Sequence, residues 1–121
     1  MVEIILNQVF AAKAAQSEQV KSLQRLVELA ANTDTGGGRV AARVILSCYN
    51  GEDYPLDVCE LGTLDAQHFE DALNVIRLRI QDGKEPHEFF TDGGRLFNQI
   101  ADAWNMRPAH FEPINAPSRE I

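Results

Sequence analysis

Lysine and arginine are missing from the 33 residues between Arg43 and Arg77. That window holds Glu52, Asp53, Asp57, Glu60, Asp65, Glu70 and Asp71, and it accounts for the whole net charge of −7. A surface of this sign repels phosphate and releases no counterions, which argues against nucleic acid as a direct partner of this quarter of the chain. Cysteine is scarce too. Cys48 and Cys59 stand 11 apart with no C-x-x-C, and in a chain without an export signal they read as reduced, buried thiols. Glycine and proline number 8 and 5, too few for low complexity, and an apolar share of 45% excludes a disordered chain. No apolar run approaches the roughly 20 residues of a membrane helix. The start, Met1-Val2-Glu3-Ile4-Ile5-Leu6-Asn7-Gln8, has an early acid and no basic leader, so no signal peptide is expected and the location reads as cytoplasmic. With 121 residues the chain makes one domain, large enough to fold on its own core.

What is present is helical periodicity. Val20, Leu23, Leu26, Val27 and Ala30 share a face over 17–31, with Ser17 placed as an N-cap. The Ala-rich stretch 11–15 extends helical character back to about residue 7. Asn32 to Gly38 (Asn-Thr-Asp-Thr-Gly-Gly-Gly) reads as a turn, and a second helix is predicted from about Arg39 to Tyr49, ended by Asn50 and a left-handed Gly51. Leu56, Val58, Leu61 and Leu64 suit one or two helical turns after Pro55. Asp65 caps a third helix to about Gln81, whose buried stripe is read as Phe69, Leu73, Ile76 and Ile80, widened by Ala72, Val75 and Leu78. Thr91 or Asp92 caps a fourth, with Leu96, Phe97, Ile100, Ala101 and Trp104 inward. Pro108, Pro113 and Pro117 keep the tail irregular. The expected fold is all-α, a compact bundle of about four helices plus a short one. It divides into an N-terminal extension (1–20), a helical domain (21–106) and an irregular, Pro-containing tail (107–121).

Catalytic patterns fail on context. Asp34-Thr35-Gly36 matches the triplet of dimeric aspartic proteases, but it follows a helix end and not the strand that such a floor requires. Gly36-Gly37-Gly38 lacks the Gly-Lys-Ser/Thr ending of a phosphate loop, so the glycines read as a linker. His68, His87 and His110 are scattered, and His68 with Asp71 offers a metal only two ligands. A DNA-reading helix opening at Asp65 would present Asp65, Glu70 and Asp71 where bases should be met. No enzyme, cofactor or metal is expected.

Ala31-Asn32-Thr33-Asp34-Thr35-Gly36, then Arg39, Ala42 and Leu46, Tyr49-Asn50, Leu56-Asp57, Leu61 and Leu64-Asp65 form a longer pattern. Over roughly residues 21–105 it resembles an uncharacterised family known as a domain of unknown function. Its members are short proteins of bacterial plasmids, integrative elements and phages. The resemblance implies a small accessory protein of a mobile element and attaches no activity to any residue.

Charge and context together suggest a non-enzymatic, protein-binding factor, an inhibitor of a bacterial defence complex in the manner of anti-CRISPR proteins. Its partner would be a basic surface on a host protein or ribonucleoprotein. The expected contact residues are Glu52, Asp53, Tyr54, Asp57, Glu60, Glu70 and Asp71, with Tyr54 and Phe111 as apolar anchors. The competing expectations are a helical structural or regulatory module that self-associates through residues 1–16, by way of Ile4, Ile5, Val9 and Phe10, and, less favoured, a DNA-binding regulator.

Overall fold

The structure, a computed structural model, describes residues 17–109. The expectations placed on residues 1–16, and on Phe111, His110, Pro113 and Pro117, lie outside the described residues.

Four helices carry the fold: α1 (Ser17–Asn32), α2 (Gly36–Tyr49), α3 (Ala66–Ile80) and α4 (Gly93–Ala103). Two short 3-10 turns, Val58–Thr63 and Pro86–Phe89, bridge them, and no strand occurs among the described residues. The all-α bundle and its short extra segment are as the periodicity predicts.

α1 packs most extensively on α3 and α2. Its inward residues are those spaced for it, Val20, Leu23, Leu26, Val27 and Ala30. α2 is buried on several sides, with Val40, Ala41, Ala42, Val44, Ile45 and Leu46 all inaccessible. α4 turns Leu96, Phe97, Ile100 and Ala101 inward, and its terminal Trp104 donates its indole N–H to the Ala30 carbonyl at 2.8 Å. That bond satisfies one carbonyl in the last turn of α1, which helical geometry leaves open. The described start of the tail lies along the molecule, with the Ala109 N–H bonded to the Asp53 carbonyl at 2.6 Å.

The glycine triplet is not a linker. Gly36, Gly37 and Gly38 form the first turn of α2, and Thr35 caps it by accepting the Gly38 N–H at 3.1 Å. Close approach explains the third glycine. A Cβ on Gly38 would fall on the Thr33 hydroxyl and sit 3.0 Å from the Leu29 carbonyl and 3.1 Å from the Trp104 ring. Gly38→Ala is therefore expected to cost about 2 kcal/mol, lowering Tm by about 10 °C. At Gly37 the nearest atom to a Cβ is 3.9 Å away, so Gly37→Ala should gain about 0.5 kcal/mol in thermal melts from helix propensity.

Two helix ends depart from expectation. Gly51 is not left-handed: α2 closes instead on Asn50, whose N–H reaches the Leu46 carbonyl. The left-handed glycine is Gly83 (φ 67°), where the Lys84 N–H returns to the Leu78 carbonyl at 3.1 Å and seals the end of α3. Asp92 stands at the N-cap of α4 but is itself left-handed (φ 53°) and makes no capping bond, lying instead 3.5 Å from Arg95.

The largest correction concerns the rotation of α3. Its inward face is Asp71, Ala72, Val75 and Leu78. Phe69 and Ile80, read as core, are 37% and 71% exposed, and Leu73 and Ile76 are half-buried beside them. Apolar residues cover so wide an arc of this helix that periodicity alone does not choose its buried side.

Candidate functional site

The basic-free window folds into the end of α2, the connection 50–65 and most of α3. Local bonds hold the connection in place. Asn50 and Asp53 clasp one another, Asn50 Nδ2 donating to Asp53 Oδ2 at 3.0 Å and the Asp53 N–H to Asn50 Oδ1 at 3.3 Å. Asp57 caps the first 3-10 turn by accepting the Cys59 N–H at 3.0 Å. Asp65 caps α3 through the His68 N–H at 2.8 Å, as its position predicts. The same carboxylate lies 3.0 Å from His68 Nδ1. The backbone bond from His68, then its ring, holds Asp65 below the usual carboxylate range.

These elements distribute the expected contact residues unevenly. Glu52, Asp57 and Glu70 are exposed, and Asp53 is half-buried within its turn. Glu60 is half-buried and faces Arg39 across 3.5 Å, so its charge is partly answered from α2. Tyr54 is 5% exposed, packed into the core, and cannot serve as a surface anchor. Asp71 does not reach the surface at all.

Asp71 sits between α1 and α3 with no exposed area. Arg25 grips it with two bonds, Nε to Oδ2 at 2.9 Å and Nη2 to Oδ1 at 2.7 Å. Ser22 Oγ donates to Oδ1 at 2.8 Å and Gln67 Nε2 at 3.1 Å, while Asn74 Nδ2 donates to Ser22 at 3.0 Å. Burial by itself pushes this carboxyl up. The bonds from Arg25, Ser22 and Gln67 outweigh it and hold the group below the usual carboxylate range. Asp71 is thus a structural charge, and Ser22 and Arg25 are partners that sequence reading passed over. One signal was available: Asp71, Val75 and Leu78 are spaced four and three apart, as residues of one helix face are.

The cysteines separate. Cys59 is exposed, against expectation: the 3-10 turn that carries it buries Leu61 instead. Cys48 is half-buried, and burial pushes its thiol up to about 11 despite the nearby Arg79. At neutral pH it is a thiol, not a nucleophilic thiolate. Among the described residues no three His, Cys, Asp or Glu side chains gather as metal ligands. No described helix is long and apolar enough to cross a membrane.

Comparison with known families gives a match over residues 20–105 to a family of unknown function, DUF7673. The chain belongs to this family. No curated protein and no solved structure matches it. The DUF7673 match spans α1 to α4, and so covers the Asp71 network as well as the acidic connection. What the connection offers chemically is the exposed carboxylates of Glu52 and Asp57 and one apolar side chain, Val58, which is 70% exposed.

Proposed function

We propose that this chain is a protein-binding accessory factor acting without catalysis, which docks on a basic surface of a protein or ribonucleoprotein. The observation that carries the reading is the connection 50–65. It leaves Glu52, Asp57 and Val58 exposed, contains no lysine or arginine, and is braced by the Asn50–Asp53 clasp and the Asp57 cap. A braced loop loses little freedom on binding, and complementary charge speeds encounter. Glu70 adds to the same sign from α3, whereas Asp71 and Tyr54 play no part. The finer reading, an inhibitor of a bacterial defence complex carried by a mobile element, draws its support from the resemblance and the charge pattern.

The test compares wild type with the double variant Glu52→Lys/Asp57→Lys as bait in a bacterial lysate. Both are run at about 50 and about 500 mM salt, on either side of effective screening. One partner that the wild type holds at low salt, and that both added salt and the reversals release, is the expected result, with association slowed about tenfold. A partner indifferent to both changes, or nucleic acid alone in the eluate, would overturn the proposal.

A further inference from the structure

α3 has a second apolar face that the bundle covers only in part, leaving Phe69 37% and Ile80 71% exposed at its ends. Phe69, Leu73, Ile76 and Ile80 succeed one another at intervals of four, three and four residues, the spacing of a coiled-coil seam. The opposite side of the helix is committed to the core through Asp71, Ala72, Val75 and Leu78, so the seam faces outward. At its C-terminal end Ile76 and Ile80 run into a groove of about 510 Å³ that they line together with Leu56 and Tyr49, and with the charged Glu52 and Arg79.

Charge along one flank of the seam indicates what could cover it. Glu70 and Arg77 are both exposed and stand seven residues apart, the same position in successive heptads. Neither joins a salt bridge among the described residues; Arg77 donates to the neutral Asn74 side chain at 2.8 Å. When two copies of this helix are laid antiparallel about a two-fold axis, Leu73 of one meets Ile76 of the other, and Phe69 meets Ile80. The same axis brings Glu70 of each copy to Arg77 of the other, twice. A parallel arrangement makes no such pair.

We propose that the occupant of this face is a second copy of the chain, in an antiparallel, two-fold pairing of α3. The pairing is isologous and closes on itself, so the assembly is a dimer and not a filament. It shares Glu70 with the acidic docking face, and Glu52 lines the same groove as Ile76 and Ile80, but the pairing does not require that face to bind a partner.

Sedimentation of the full chain tests this at about 10 and about 300 µM, a range that suits an interface of a single helix pair. A dimer is expected at the higher concentration. Glu70→Lys alone and Arg77→Glu alone should each weaken it about tenfold, because each sets two like-charged pairs across the axis. Mixed together, the two variants should recover wild-type affinity as a heterodimer, since both cross-pairs are then opposite in sign. Ile80→Glu, at a position that is 71% exposed and so tolerant in the monomer, should abolish association while helix content by circular dichroism stays unchanged. A full chain that is monomeric at both concentrations would overturn the proposal, whether residues 1–16 or an unrelated protein covers the seam. So would a dimer indifferent to both charge reversals, or a mixture that fails to recover.

Discussion

Replacing Arg25 with methionine is expected to lower the unfolding free energy by about 3 kcal/mol at neutral pH, the low end for breaking a buried ion pair. The low end applies because Arg25 is 38% exposed, and because Ser22 and Gln67 still donate to Asp71 in the variant. The pH dependence carries the sharper prediction. In the wild type the Asp71 carboxyl is lowered in the folded state. Its contribution is complete above the ordinary aspartate value of about 4 and is lost as pH falls through the lower folded value. In Arg25→Met, burial goes unopposed by the guanidinium and the folded value rises. Protonation then relieves the strain, so the gap between the two proteins should narrow as pH drops from about 7 to about 4. Urea unfolding at a series of pH values measures this directly. A gap that stays constant would mean that Asp71 is held by something other than Arg25. Arg25→Lys should fall between the two, since an ammonium cannot supply both bonds of the fork.

Gly93→Ala should be the most damaging single methyl in the molecule. Gly93 is buried in the first turn of α4, directly beneath the second 3-10 turn. A Cβ there would land on the main-chain carbonyl of His87. A side chain can swing away from such a clash, whereas a carbonyl moves only with its turn. The turn carries buried Phe89, with Phe90 beside it. It also carries the His87 ring, which meets Tyr49 edge-on at 4.9 Å between centroids and lies 6.5 Å from Phe97. The expected cost is about 3 kcal/mol or more, at the upper end for overpacking. Gly94 supplies the control. A Cβ on it would stand 3.8 Å from the Tyr49 hydroxyl, an ordinary contact, so Gly94→Ala should gain about 0.5 kcal/mol from helix propensity. Equal thermal stability of the two variants would contradict this packing.

Much of the fold was legible in residue order because the devices that set it act over short spans. Asp65 could be named as the cap of α3 from its place ahead of an apolar helical run, and the inward residues of α1 and α4 from their spacing. Thr35 was harder to see, since three glycines look like the end of order and not the first turn of a helix. Only the approach of Leu29, Thr33 and Trp104 makes glycine necessary at residue 38. The candidate site was legible as a charge excess, and much less so as a surface. Of the seven expected contact residues, Tyr54 went to the core and Asp71 to an internal ion pair, while Glu60 faces Arg39.

Helical class, most of the breaks between helices and the crowding of acids between Arg43 and Arg77 followed from the order of residues, because caps, turns and periodicity operate within a turn or two of chain. The rotation of α3 did not. Its apolar arc is wide enough to bury either side, and the side that is buried sets Ala72, Val75 and Leu78 in the core and Asp71 against Arg25 and Ser22, 46 and 49 positions away in sequence. The same rotation turns Phe69 and Ile80 out to solvent, so packing against distant residues, and not residue order, set which charge the bundle keeps inside and which apolar face it leaves outside.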